Sequence, residues 1–316
     1  MAKFIKTKSG NLKKKESLIG SLFVILAGAI WGCTGLFVRY FASIGLDSSQ
    51  VVVFKITIPA VIFFLYCLIF NRKALRIKLK DIWVFLLCGL AALDIFSLCY
   101  FYTIEQTSLS VAAVLLYLSP AIVMLISAII FKEKITKKKL IACVMAILGC
   151  FFVSGVIGTS VAIPPLAFLT GIIAAVGYGF FTIFGEIGIR KGYSPLTIST
   201  YTTIFAIIGV PIFLKPAKMA AAAETAGIGT FIIMAIIDAL VSEVIPCILY
   251  TKGLEHVSPA KASIMASVEP VCATLLGIFV LGESIDVFGI LGIVFVVGAI
   301  VLLNAKKIAK RNKKRD

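Results

Sequence analysis

Ten apolar runs divide this chain, and the loops between them alternate basic, neutral, basic, neutral from the first residue to the last. The runs are Leu18 to Phe41, Gln50 to Phe70, Ile82 to Tyr102, Ser108 to Phe131, Leu140 to Val156, Leu166 to Ile189, Leu196 to Leu214, Ile228 to Tyr250, Pro259 to Leu281 and Val287 to Leu303. Most approach the ~20 residues that a helix needs to cross a hydrocarbon core. Of the 31 Lys and Arg, 26 fall on one set of alternate loops and the two tails, while Arg39, Lys215 and Lys218 stand on the other set and Lys55 and Lys261 lie inside runs. Positive charge marks the cytoplasmic side of membrane proteins, so the pattern predicts an all-α protein of the cell membrane with ten transmembrane helices and both termini cytoplasmic.

With 60% hydrophobic and 15% charged residues, and no long loop, there is little room for a soluble domain. The formal charge of +16 sits beside the cytoplasmic helix ends, where it suits anionic lipid headgroups in a bilayer. Phe4 is the one aromatic residue in the two basic tails, too few to interleave the charges, which argues against nucleic acid as a partner. The first run is too long for the apolar region of a signal peptide and reads as the first span. All eight cysteines lie within runs and none forms a CxxC pair, which suits apolar packing better than disulfides or a metal. His256, the one histidine, lies in a short loop, and no metal site or cofactor is expected.

Shifted by 150 residues, the chain aligns Tyr100 with Tyr250, Glu105 with Glu255, Ser108 with Ser258, Pro120 with Pro270 and Glu133 with Glu283; at a shift of 147, Trp31-Gly32 faces Tyr178-Gly179. Each half then holds five spans. Because five is odd, the halves enter the membrane from opposite faces, as inverted-topology repeats do in carriers. The chain divides into a basic tail 1–17, a first repeat 18–157, a second repeat 164–304 and a basic tail 305–316.

The motifs around these repeats resemble the EamA-type family of the drug/metabolite transporter superfamily. The resemblance rests on Ala29-Ile30-Trp31-Gly32, on Tyr117-Leu118-Ser119-Pro120 with Phe131-Lys132-Glu133, on Gly253-Leu254 with Val257-Ser258-Pro259-Ala260, and on Val268-Glu269-Pro270-Val271 with Leu281-Gly282-Glu283. It implies a ten-helix carrier of small polar metabolites, amino acids or drugs, frequently an exporter. Members often carry arginine early in the second span, where Phe54-Lys55 stands here; lysine keeps the charge without the planar fork.

A buried charge costs roughly 2.5 to 3.5 kcal/mol on insertion scales, so each ionisable residue within a span needs a reason. Asp94, Asp238, Glu243 and Glu269 lie near mid-span, against the single base Lys55. That excess of acid favours a cationic group on the substrate or bound protons. The blander alternatives are interhelical packing for the acids and snorkelling to the interface for Lys55. Trp31, Tyr100, Tyr117 and Tyr178 are candidates to line a central cavity, where an aromatic face attracts an ammonium. Ser267, two residues before Glu269, joins the candidate substrate site. Asp238 and Ser242 lie one turn apart on one face. Pro120 and Pro270 are candidate kinks that free backbone carbonyls. Gly28 and Gly32 form a GxxxG for close packing or for dimerisation, and the sequence leaves the oligomeric state open.

The leading expectation is a secondary active transporter of an amino acid, amine or drug-like metabolite. It is expected to export, with proton coupling or exchange, since no ATP-binding motif is present. The alternatives are an importer of the same fold, a channel or scaffold, and a membrane-embedded enzyme. The last lacks a histidine in any span and a G-x-S-x-G motif, so no enzyme activity is expected.

Overall fold

Inside a bilayer no water reaches the backbone, so an apolar run satisfies its N–H and C=O groups by coiling into helix. The computed structural model describes residues 2–157 and 163–305, with side chains from Glu16 onward, and within these residues the chain forms helices and no strand. The expected basic C-terminal run from Lys306 to Arg315 lies outside the described residues.

In chain order the main helices are α1 (Glu16–Ser43), α2 (Ser48–Phe70), α3 (Leu79–Gln106), α4 (Leu109–Ile130), α5 (Lys137–Val153), α6 (Pro165–Arg190), α7 (Pro195–Phe213), α8 (Ile228–Leu254), α9 (Pro259–Leu281) and α10 (Val287–Asn304). All but α5 are long and apolar enough to cross a membrane, which makes nine candidate spans among the described residues. The run expected from Leu140 to Val156 folds three residues earlier as the 17-residue α5 and packs along α10. The backbone of the first helix continues to Ala2, through the basic N-terminal tail. One further helix, Pro216–Ala226, occupies the loop expected between α7 and α8. Proline opens it in the first turn, where no N–H is needed, and Gly227 closes it with φ +78°, a left-handed geometry that suits glycine. Its Ala222 is buried beside Phe41 and Phe231.

The helices are interrupted where the two candidate prolines stand. Leu109–Leu116 and Ser119–Ile130 make up α4, and Pro259–Ala266 and Val268–Leu281 make up α9. In each case the break comes within one turn before the proline. The ring removes the hydrogen bond that would have reached the carbonyl four residues back. In α9 that carbonyl is Ala266 O, and α1 comes close to it at Gly28, where an added Cβ would sit 2.9 Å from this oxygen. Gly32 approaches Glu269 O in the same way, at 2.8 Å. Both glycines of the GxxxG therefore pack against α9 within the chain.

Ion pairs tie loops together at each end of the bundle. At the end that carries the basic loops, Lys191 donates to Asp81 at 2.7 Å and Tyr193 donates to the other Asp81 oxygen at 2.7 Å. At the far end, Arg39 pairs with Glu283 at 2.6 Å and Lys218 with Asp47 at 2.7 Å. The repeat is visible in backbone detail: Glu133 N donates to Ser127 O at 3.2 Å, and 150 residues on Glu283 N donates to Gly277 O at 3.0 Å.

Candidate functional site

A cavity of about 480 Å³ runs from the middle of the bundle toward the far end, walled by residues of all the main helices except α7 and α10. Its floor, on the side of the basic loops, is aromatic. Trp31 packs on Tyr250 with ring centroids 5.4 Å apart and edge-on to Phe181 at 6.2 Å, and Phe181 meets Tyr250 at 5.8 Å. Tyr250 and Thr182 share a 2.7 Å hydrogen bond that fixes the ring. Beneath this layer Val24, Leu254, Ile264 and Met265 close the bundle as dry core.

Glu269 enters the cavity from the first turn of Val268–Leu281, where a carboxylate suits the positive end of the helix dipole. Tyr178 donates a 2.7 Å hydrogen bond to its Oε2. Tyr100 and Tyr117 also line the space, and Phe96 bridges Tyr100 and Tyr178, 5.6 Å from each. The result is a carboxylate held among electron-rich rings, an arrangement chemically suited to an ammonium group.

Lys55 lines the same cavity from α2. Among the described residues no carboxylate lies within ion-pair distance of its ammonium. Apart from the paired Arg39 and Glu283 at the mouth, the charged lining is one base and two acids, Lys55 against Glu243 and Glu269. A single lysine and an acid across a shared space can engage both ends of a zwitterion, leaving one acid for a proton.

Seven of the ten candidate residues meet at this cavity: Trp31, Lys55, Tyr100, Tyr117, Tyr178, Glu243 and Glu269. Pro270 also lines it, and Pro120, Asp94, Asp238 and Ser267 do not. Asp94 is 5% exposed and lies against Gly209 of α7, where an added Cβ would collide with the carboxylate. Asp238 is fully buried and accepts a 2.5 Å hydrogen bond from Ser242, the partner that the helical spacing placed on its face. Ser267 is buried at the break in α9.

Two acids sit in widened, π-helical turns. Asp94 lies in Leu90–Ile95 and Glu243 in Leu240–Val244, at matching places in the two repeats. Such turns insert a residue and re-aim the side chains that follow, and they recur at functional sites. Glu243 accepts from the Cys247 thiol at 2.9 Å. The sequence reading passed over Tyr250, Phe181 and Thr182 in the floor of the cavity. Tyr250 was within reach, since the 150-residue shift pairs it with Tyr100.

The family model described as the EamA-like transporter family matches residues 18–155 and 165–305. An uncharacterized transporter of Archaeoglobus fulgidus is 24% identical over 285 residues, covering 90% of this chain and 93% of that protein. The uncharacterized transporter YetK of Bacillus subtilis is 26% identical, covering 96% and 92%. The uncharacterized inner membrane transporter YicL of Salmonella typhimurium is 25% identical, covering 90% and 95%. A protein of known crystal structure, 16% identical, superposes with a TM-score of 0.72 over 92% of this chain and 96% of its own. That likeness establishes the shared fold.

Proposed function

The chain belongs to the EamA-like transporter family, and from that premise we propose that it is a secondary active carrier of a small metabolite bearing an ammonium group, an amino acid or a related amine. The observation that carries this reading is Glu269, hydrogen-bonded to Tyr178 within an aromatic enclosure and facing a cavity that also holds Lys55. The ammonium of the substrate pairs with Glu269 and the surrounding rings, and a carboxylate, where present, turns toward Lys55. Glu243 is the acid left to exchange a proton during the cycle.

In this reading the helices α1 to α5 and α6 to α10 are two inverted-topology repeats of ten membrane-spanning helices, with both termini in the cytoplasm. The lopsided distribution of Lys and Arg supports that orientation. The cavity then opens away from the cytoplasm, and transport runs outward by exchange with protons. Carriage needs a site reached from one side at a time, and the closed floor of Trp31, Phe181 and Tyr250 supplies the barrier on the cytoplasmic side.

A growth-protection screen tests the substrate class. Cells expressing the chain are challenged with toxic excesses of amino acids, polyamines, choline and nucleosides. Protection against compounds that carry an ammonium group, abolished by Glu269→Gln, is the expected result. Protection confined to nucleosides or other uncharged compounds contradicts it.

A further inference from the structure

A lysine inside an apolar run needs a partner, and Lys261 has no acidic one. It is the third residue of Pro259–Ala266, the half of α9 against which α1, α5 and α10 all pack. Partly buried there, its ammonium donates to the Ser21 hydroxyl of α1 at 2.9 Å, and Ser21, 3% exposed, donates in turn to Ser17 O at 2.8 Å. Met265 lies one turn further along the same face, and Asn304 of α10 reaches its sulfur at 3.5 Å. Beside Asn304 the last carbonyls of α10 are capped from α5, where Lys138 donates to Leu303 O at 3.1 Å and to Ala305 O at 2.6 Å. Two lysines therefore border one crevice between α1 and α10, at the end of the bundle that carries the basic loops. Among the described residues no carboxylate lies within ion-pair distance of either, whereas the neighbouring Lys139 is paired with Glu133.

We infer that this crevice is a binding site for the phosphate group of an anionic phospholipid, held between Lys138 and Lys261. An ammonium has three donors; Lys261 uses one on Ser21 and Lys138 two on the end of α10, so each keeps a donor for an oxygen of the ligand. Two partly buried charges without a counter-charge favour an anion, and basic pockets between membrane helices are where anionic headgroups are held. The flanking surface selects a lipid over a free phosphate. Leu18 and Leu22 of α1, within one turn of Ser21, and Leu140 and Ile141 of α5, within one turn of Lys138, are about half exposed and give the acyl chains an apolar bed. A zwitterionic lipid carries the same phosphodiester, but its own cationic group offsets the charge that draws it to the lysines. The inference needs only a chain seated in a bilayer and is independent of the substrate reading above.

Native mass spectrometry of the full chain in detergent tests the site by comparing bound phosphatidylglycerol with phosphatidylcholine and with inorganic phosphate. Phosphatidylglycerol should bind in preference to phosphatidylcholine, should resist displacement by inorganic phosphate, and should bind roughly tenfold or more weakly to the double variant Lys138→Gln with Lys261→Gln. Lys134→Gln with Lys137→Gln removes the same charge from exposed positions nearby and should leave binding unchanged. Equal binding by the natural chain and the first double variant, or an equal loss in the second, overturns the site. Phosphatidylcholine bound as tightly as phosphatidylglycerol overturns its anionic preference, and displacement by inorganic phosphate overturns the lipid assignment in favour of a free phosphate. Because Lys138→Gln also uncaps α10, the natural chain supplies a second readout that no misfolded variant can confuse. Embedded in nanodiscs of either lipid, it is treated with an amine-acetylating reagent and read peptide by peptide. Relative to Lys134 and Lys137, Lys138 and Lys261 should be labelled more slowly in phosphatidylglycerol than in phosphatidylcholine; the same ratio in both lipids overturns the inference.

Discussion

The Tyr178 hydroxyl donates a 2.7 Å hydrogen bond to Glu269, so the central acid of the cavity is satisfied by a neutral donor, and among the described residues no base lies within ion-pair distance of it. A carboxylate arranged in this way keeps its charge available to a cationic ligand or a proton. A lysine or arginine in place of Tyr178 would compete for it.

Replacing Glu269 by Gln preserves volume and much of the hydrogen bonding, so folding should survive. Uphill transport and exchange should fall together, because the ammonium of the substrate loses the carboxylate it pairs with. Tyr178→Phe removes a bond to a charged group, worth about 1.5 to 3 kcal/mol, and should weaken substrate binding by roughly tenfold or more. Because the two side chains act as a unit, the double variant should bind no worse than Glu269→Gln alone. Strictly additive losses in the four-way comparison would show that they act separately.

Trp31 stands on the floor of the cavity against Tyr250 and Phe181. Trp31→Leu keeps apolar bulk and removes the electron-rich face. For an ammonium substrate the apparent affinity should fall roughly tenfold or more, following the ~2 kcal/mol of a desolvated cation–π contact. A neutral analogue of the same shape should lose less. Equal affinity of wild type and variant for the cationic substrate, measured on purified protein, would place Trp31 outside the site.

Helix α1 crosses α8 at Gly253, where an added Cβ would lie 3.0 Å from Gly20 O and would strike the Val24 side chain. Gly253→Val should therefore destabilise the protein by about 1 to 3 kcal/mol, as overpacking does. Thermal unfolding in detergent reads this directly. Gly229→Val, where the Cβ meets nothing within 4 Å, should change stability less.

At the far end Asp47 binds Lys218 at 2.7 Å and Lys215 at 3.6 Å, which fastens the Pro216–Ala226 helix to the start of α2. The hydrogen bond from Lys218 holds the Asp47 carboxyl below its ordinary pKa. A lowered folded-state pKa gives stabilisation that is present above the unfolded value and is lost as the pH falls through the folded one. The side chains are about half exposed, so solvent screens the pair and the global effect is small. Limited proteolysis between Lys215 and Gly227 should be slow at neutral pH in the wild type and should quicken only in acid. In Asp47→Asn it should be fast at both; cleavage that ignores both pH and the substitution would remove the clamp.

Helix positions were legible because the length and apolarity of a run set where a membrane helix begins and ends. Pro259–Leu281 matches to the residue, and most other bounds differ by a few. The Pro216–Ala226 helix was not legible, since its alanine-rich face is buried by a tertiary contact with Phe41 and Phe231 that no local periodicity records. Depth in the membrane could be counted along the sequence, and the acids of the site lie at mid-helix as expected. Azimuth could not. A π-helical turn adds one residue, and each residue of a regular helix turns by roughly 100°, so 3.6-residue counting no longer says which way the acids of Leu90–Ile95 and Leu240–Val244 point. Glu243 turns to the cavity and Asp94 to Gly209. Glu269 and Tyr178 are far apart in sequence, and only the folded bundle joins them.

The central claim is a single site served alternately from two sides, and counterflow in sealed proteoliposomes tests it most directly. Vesicles loaded with unlabelled amine substrate are diluted into a trace of the labelled compound, with no pH difference or membrane potential. A carrier gives a transient accumulation of label above its equilibrium level, which Glu269→Gln should diminish by weakening substrate binding and Glu243→Gln, at the acid that exchanges the proton, should leave in place. Monotonic filling to equilibrium, unaffected by preloading, would identify a channel and contradict the account.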